Sequence, residues 1–387
     1  MRTAHIITRL IIGGAQQNTL FNVDDQHHIH GDEVTLITGP GIGPEGSLEQ
    51  RAIDRGLDLR VLPEFRRNLH PWRDWASYRA IIRELRAFKP DIVHTHSSKA
   101  GIIGRRAAAK LGIPAVHTIH GAAFHYGQNP VLHKAYRLAE RIAARWCDHF
   151  ISVSDAMTEQ YVDAGVAPLD KFTTIFSGMD IEPFLDPPKL PRDVRQELGL
   201  SPEHVVVGKI ARLFPLKGHE YIIEAAAEVL KSNENARFLF VGDGILREQY
   251  EARLTGLGIR DQFVLTGLVP PARIPELINA MDIVVHTSMW EGLARVLPQG
   301  LISGKPVVSF DIDGAKDVVI SNETGFLIEP KDTRGLIDAI NRLAADPELR
   351  EKLGQCGRER FTNLFRHETM TEQIRDVYKR VLKQRQS

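Results

Sequence analysis

Residues 208–218 read Gly-Lys-Ile-Ala-Arg-Leu-Phe-Pro-Leu-Lys-Gly. Arg212 and Lys217 flank a predicted strand-to-helix turn, and Gly218 opens the helix that follows. A guanidinium fork and an ammonium near a helix N-terminus can hold a diphosphate without a metal. Two solvated loop cations would leave the same trace, and most Lys and Arg residues are solvated. A second stretch, residues 286–306, reads H-T-S-M-W-E-G-L-A-R-V-L-P-Q-G-L-I-S-G-K-P. It places Glu291 and Gly292 in a turn between a short apolar run and a predicted helix over 295–303. Gly292 would let backbone N–H groups approach an anion. A carboxylate there suits sugar hydroxyls better than phosphate. The plainer alternative is an acid stabilising a helix N-terminus.

Weaker candidates lie in the first half. Gly13 and Gly14 follow the first predicted strand, where backbone N–H groups could face a phosphate or simply make a tight turn. The G-x-G-x-x-G dinucleotide spacing is absent. His94 and His96 end a predicted strand on one face, but no third metal ligand stands at helical or hairpin spacing, so no metal site is expected. His120 ends the next strand, either at a ligand cleft or on a surface loop. There is no G-x-S-x-G elbow, Walker lysine loop, paired C-x-x-C or H-E-x-x-H.

These residues need a scaffold of strand ends. Apolar runs near residues 4–10, 33–38, 57–62, 91–96, 115–120, 149–153 and 173–176 predict strands, with amphipathic segments between them. The alternation restarts after residue 191, with strands near 205–210, 237–241, 263–266, 282–286, 307–310 and 326–328. Strand–helix alternation implies parallel sheets covered on both faces. Between the halves, residues 186–191 hold three prolines in six positions and read as a linker. The expected division is 1–185, linker 186–191, 192–365, and a helical tail 366–387.

The chain has 387 residues, the length of two domains. Forty-nine basic side chains balance 49 acidic ones, so no global field would gather nucleic acid. Two cysteines far apart and no long apolar run fit a cytoplasmic protein without disulfides. Residues 66–75, R-R-N-L-H-P-W-R-D-W, mix cations with tryptophan. They suit an anionic membrane surface or a lipid-phosphate acceptor, or a solvated loop packed by the two tryptophans.

Taken in order, Gly13-Gly14, His120-Gly121, Ser152-Val153-Ser154, Ser177-Gly178-Met179-Asp180, the Arg212/Lys217 loop, Val241-Gly242-Asp243-Gly244 and the Glu291 stretch resemble the retaining nucleotide-sugar glycosyltransferases of family four. The resemblance spans nearly the whole chain. It implies the GT-B fold: two Rossmann-like domains facing across a cleft, with a C-terminal helix crossing back to the first. It implies a UDP- or GDP-sugar donor, a glycan or lipid-linked acceptor, and transfer without metal or other cofactor at the inner face of the membrane.

By that resemblance Arg212 and Lys217 would bind the donor diphosphate, and Gly13 and Gly14 would approach it through the backbone. His120 and Glu291 would meet donor-sugar hydroxyls. Gly292, Leu293 and Ala294 would offer N–H groups, and Val269 would lie by the nucleobase. Relatives usually carry a second Glu where this chain has Gln299. That neutral amide should weaken a ribose grip by about 1 kcal/mol. Ala294, often Gly in relatives, raises the question of whether its loop can take an unusual backbone. Two other readings remain at this stage: a sugar-nucleotide epimerase on the same fold, and a non-catalytic sugar-nucleotide binder.

Overall fold

The computed structural model describes residues 1–43, 46–124, 128–187 and 193–386. These form two compact units, residues 1–179 with 364–387, and residues 180–363. The first unit runs β1 (Arg2–Arg9), α1 (Gly14–His28), β2 (Glu33–Gly39), α2 (Glu49–Asp54), β3 (Asp58–Val61), α3 (Pro71–Phe88), β4 (Ile92–His96), α4 (Ser98–Leu111), β5 (Ala115–Ile119), α5 (Pro130–Ala143), β6 (His149–Ser152), α6 (Asp155–Asp163) and β7 (Phe172–Thr174). Its strands form one parallel sheet in the order β3-β2-β1-β4-β5-β6-β7. Strands β4 and β5 are buried along their whole length. Sequences such as Ile92-Val93 and Ala115-Val116 therefore run apolar on both faces, as a covered parallel sheet demands.

The second unit holds α7 (Glu182–Leu185), α8 (Val194–Glu197), β8 (Val205–Ile210), α9 (His219–Ser232), β9 (Ala236–Val241), α10 (Arg247–Gly256), β10 (Phe263–Leu265), α11 (Ile274–Asn279), β11 (Ile283–His286), α12 (Val296–Ile302), β12 (Val307–Phe310), β13 (Gly325–Ile328), α13 (Thr333–Ala345) and α14 (Pro347–Phe361). Its parallel sheet has the order β10-β9-β8-β11-β12-β13. Phe238 and Phe263 stack with centroids 4.7 Å apart inside its core. The last helix, α15 (His367–Gln386), returns to the first unit and packs along α1. Among the described residues no helix is long and apolar enough to cross a membrane.

The chain changes unit at Met179–Asp180, six residues before the proline-rich stretch that composition marks. Residues 180–185, expected in the first domain, belong to the second unit, because α7 packs on α11 and α12. Residues 188–191 of the expected linker lie outside the described residues. The crossing itself is a close backbone contact. Met179 N–H donates to Phe365 O (2.9 Å), and a Cβ on Gly178 would stand 2.5 Å from the His367 Cα. Only glycine fits there, and no proline signals it.

Candidate active site

In both sheets the strand order reverses beside the first strand of the unit, between β1 and β4 and between β8 and β11. Ligands of open parallel sheets bind at the carboxyl ends of strands at such points. The second unit places its candidate residues there.

The turn after β8 is held in an uncommon backbone. Leu216 has φ +68° and Gly218 φ +70°. A Cβ at 218 would meet Thr287 O at 1.8 Å, so glycine is required on both counts. Leu216 O accepts from Met289 N–H (2.8 Å), and Thr287 Oγ1 donates to Gly218 O (2.7 Å). These bonds tie the loop after β8 to the loop after β11. Lys217 Nζ accordingly donates to Glu291 Oε1 in a half-buried ion pair. Glu291 N–H donates to Asp313 Oδ2 (2.7 Å), and Gly314 N–H donates to Gly292 O (2.9 Å). The turn carrying the carboxylate is thus pinned from the segment after β12.

Arg212 is exposed, and its guanidinium sits 5.1 Å from the Phe214 ring centroid. Its loop is bonded to the next: Leu213 N–H donates to Asp243 O (2.9 Å), and Gly242 N–H donates to Gly267 O (3.2 Å). Val269 therefore follows a loop joined by backbone bonds to the one beside Arg212; it is half-buried. Leu293, Ala294 and Gln299 are half-buried as well. The angles answer the question raised at Ala294: among the described residues neither Gly292 nor Ala294 has a positive φ, whereas Leu216, Gly218, Gly242, Gly267 and Asp313 (φ +44°) do.

Lys209 was not singled out in the sequence. It is fully buried, and its Nζ donates to Thr287 Oγ1 (3.2 Å). Burial pushes its ammonium down to about 7, while Glu291 pulls it up and Lys217 pushes it further down. The signal that could have found it is a lysine inside an otherwise apolar strand, Val-Val-Val-Gly-Lys-Ile.

In the first unit Gly13 caps α1 without a side-chain bond, and Gly14 is its first residue. The first-turn N–H groups there have no side-chain cap. His120 follows β5 and is half-buried. Its Nε2 lies 3.1 Å from His96 Nδ1, and burial pushes its pKa down to about 4.

Sequence spacing offered no third partner to His94 and His96. Register does: His5 on β1 pairs with His94 on β4. Nitrogen atoms of His5, His94 and His96 lie within 4.8 Å of one another. Hydrogen bonds already occupy that space. His94 meets Tyr378 Oη (2.5 Å) and Thr118 Oγ1 (2.7 Å), and His5 Nδ1 meets His96 Nε2 (3.1 Å). Lys217 and Glu291 are thus brought into contact, Arg212 shares the loop of Lys217, and Gly13, Gly14 and His120 belong to the other unit.

Comparison with known proteins decides the family. The model of Glycosyltransferase Family 4 matches residues 13–183, and that of Glycosyl transferases group 1 matches residues 192–360. The chain is 32% identical over 336 residues to UDP-Gal:alpha-D-GlcNAc-diphosphoundecaprenol alpha-1,3-galactosyltransferase of Escherichia coli, covering 84% of each chain. The chain belongs to the family 4 glycosyltransferases. A second relative, alpha-D-kanosaminyltransferase of Streptomyces kanamyceticus, is 28% identical over 68% of this chain and 70% of its own. Among solved structures, Anabaena Alr3699/HepE in complex with UDP superposes with a TM-score of 0.81 at 22% identity, over 98% of this chain and 100% of that one. The same protein with UDP-glucose gives 0.77 at 21% identity, over 98% and 99%. At such identity the likeness establishes the shared GT-B fold of these glycosyltransferases.

Proposed function

We propose that this glycosyltransferase moves a hexose from a UDP- or GDP-sugar to a hydroxyl of a lipid-linked acceptor in polysaccharide or glycolipid synthesis, with retention at the anomeric carbon and without a metal. The observation that carries the reading is the Lys217–Glu291 pair, set on the Gly218–Thr287 frame at the carboxyl ends of β8 and β11. In that reading the donor diphosphate takes up Lys217 and Arg212. Glu291, held by Asp313, turns its free acceptor sites to sugar hydroxyls. His120 does the same, and the backbone at Gly13, Gly14, Gly292, Leu293 and Ala294 supplies N–H groups. As the bond from anomeric carbon to diphosphate breaks, charge grows on the leaving oxygens. Two cations would stabilise it where water is scarce. The acceptor hydroxyl bonds to the same face of that carbon and gives its proton to the departing phosphate.

The lipid-linked acceptor is supported by the diphosphoundecaprenol-linked sugar in the name of the Escherichia coli relative and by the surface of the first unit. A cavity of about 510 Å³ there is lined by Thr8, Arg9, Arg67, Ser97, Lys99 and Tyr136, among others. Arg9 and Arg67 suit a phosphate group, whereas the Lys99 ammonium is already taken by Asp74, Arg66 O and Asn68 O. Beside it, α5 exposes Val131, Leu132, Tyr136, Leu138 and Ile142, with Lys134 and Arg141 exposed on the same helix. Trp72 and Trp75 are exposed too, so the tryptophans do not pack the loop as the plainer reading had it. An apolar helical row flanked by cations fits a peripheral contact with an anionic bilayer, at its cytoplasmic face.

The test begins with thermal shifts against UDP, GDP, ADP and dTDP sugars. A ligand at 100 times its dissociation constant adds about 2.7 kcal/mol. With the stabilising donor, transfer to a lipid diphosphate sugar is followed with and without a chelator, and the anomeric configuration of the product is read by NMR. Lys217→Ala should lower kcat by about 10²–10³. Near wild-type transfer by that variant, or an inverted product, would refute the assignment.

A further inference from the structure

Three imidazoles of the first unit form a line. His120 Nε2 lies 3.1 Å from His96 Nδ1, and His96 Nε2 lies 3.1 Å from His5 Nδ1. The planes of His96 and His120 lie 27° apart with centroids at 5.3 Å, and those of His5 and His96 11° apart at 5.4 Å, the spacing of rings meeting edge to edge. His5 and His96 are fully buried. Burial holds His5 and His120 down to about 4 and His96 well below its ordinary value, so all three are neutral at pH 7. A neutral imidazole has one N–H and one bare nitrogen. The proton order along such a line is therefore all one way or all the other, and its buried end decides which.

That end is His5 Nε2, which has no partner at strict hydrogen-bond geometry among the described residues. Gln26 Oε1 is buried and unpartnered in the same sense. The Gln26 amide is oriented by its nitrogen, which donates to Asn22 Oδ1 (2.7 Å) and reaches Tyr378 Oη at 3.5 Å. The oxygen is left for His5, and the two side chains interact so as to favour a proton on His5. Were His5 Nε2 bare, two buried acceptors would meet with no proton between them, and each would be left unsatisfied at a cost.

We propose that His96 and His5 are positioning residues. They hold His120 as its Nε2–H tautomer through the chain His120 Nε2–H to His96 Nδ1, His96 Nε2–H to His5 Nδ1, and His5 Nε2–H to Gln26 Oε1. This rests on the reading of His120 as a donor-sugar contact. Its consequence is that His120 Nδ1 is a bare acceptor. It takes a hydrogen bond from a sugar hydroxyl and repels a carboxylate in the same place, so the site selects a neutral hexose over a uronic acid. His94 stands outside the chain. Its ring lies 4.2 Å from that of His96, but its nitrogens are taken by Tyr378 and Thr118.

The first measurement needs no variant in the reporting sample. Long-range 1H–15N correlation on the full chain labelled at histidine nitrogens reads each tautomer, with His120 assigned by its loss in H120N. An Nε2–H pattern is expected, and an Nδ1–H pattern would overturn the chain. The second compares His96→Phe with His96→Asn, whose side-chain oxygen can accept about where Nδ1 does. H96F should lower kcat for transfer roughly 10- to 100-fold with UDP affinity unchanged, and H96N should recover most of it. Equal losses in both, matched by H94N, would show packing alone and refute the proposal. A wild-type chain that transfers no sugar while His120 shows the expected tautomer overturns the functional reading and leaves the chain of imidazoles intact.

Discussion

At the switch point of the first sheet stand His5, His94 and His96, all buried and neutral. At the corresponding point of the second stand Lys209 and Thr287, with the Lys217–Glu291 pair. Both sheets present strand ends to a ligand, but one lines them with imidazoles bonded to each other and the other with charges bonded across loops. A charge needs water or an opposite charge, so it sits in a turn where glycine lets loops meet. A neutral imidazole can be buried whole if each nitrogen finds a partner. The first arrangement fixes proton positions, and the second fixes ionic charge.

Acid should separate the two most strongly. A base whose folded pKa lies below its unfolded value binds fewer protons when folded across the interval between them, so stability falls as pH drops through it. For His5 the interval runs from 6.5 down to about 4, equivalent to about 3 kcal/mol. His94, His96, His117, His120 and His149 add to it in the first unit, against His204, His219 and His286 in the second. Lys209 titrates above this interval and does not offset it. Hydrogen exchange at pH 5 should therefore open β1 and β4 before β8 and β11. Equal loss of protection in both sheets would break the contrast.

Two ion pairs sharpen it. Arg105 and Glu140 are fully buried at 2.9 Å and join α4 to α5, while Lys217 and Glu291 are half-buried. Breaking a buried pair leaves an uncompensated charge, so Glu140→Leu should cost about 3–5 kcal/mol of stability. Glu291→Ala should cost under about 1 kcal/mol of stability and yet abolish most transfer. Thermal melts and initial rates on the same two variants check both halves. A melt lowered more by the second variant than by the first would show that the pair at 291 is structural.

How much of this was readable beforehand follows from the same physics. The Lys217–Gly218 turn, the Glu291 turn and the strands between them could be found because glycine, charge and apolar runs stand next to each other in sequence. Helix α1 is marked only by the strand alternation and the Gly13-Gly14 turn, since its buried face is largely polar: Asn18, Asn22, Asp25 and Gln26 pack inward beside Leu20 and Val23. Gln26 and Asn22 bond each other within the helix, and other partners lie more than 300 residues away, as where Asp25 accepts from His367 and Thr371. No apolar period marks such a helix. His5 likewise looked like one polar residue in an apolar strand until parallel register set it against His94. Lys209 differs, since a lysine inside an apolar strand is itself a signal, and only its partner Thr287 is remote. The crossing at Met179 escaped because it is made by a glycine contact with His367, whereas composition pointed to prolines further on.

The smallest effect concerns Gln299, on α12 with its side chain half-buried. An amide oxygen accepts one hydroxyl as well as a carboxylate does in geometry, but without charge assistance. Gln299→Glu should tighten the donor by about 1 kcal/mol, roughly fivefold. The gain cannot be much larger, because in the proposed site the new charge would also face the donor diphosphate. Titration calorimetry with UDP and with UDP-sugar tells what the side chain touches. A ribose contact is present in both ligands, so both should tighten equally. Tightening of the UDP-sugar alone would move Gln299 from the nucleoside to the hexose, and weakening of both would show that repulsion by the diphosphate outweighs the new bond.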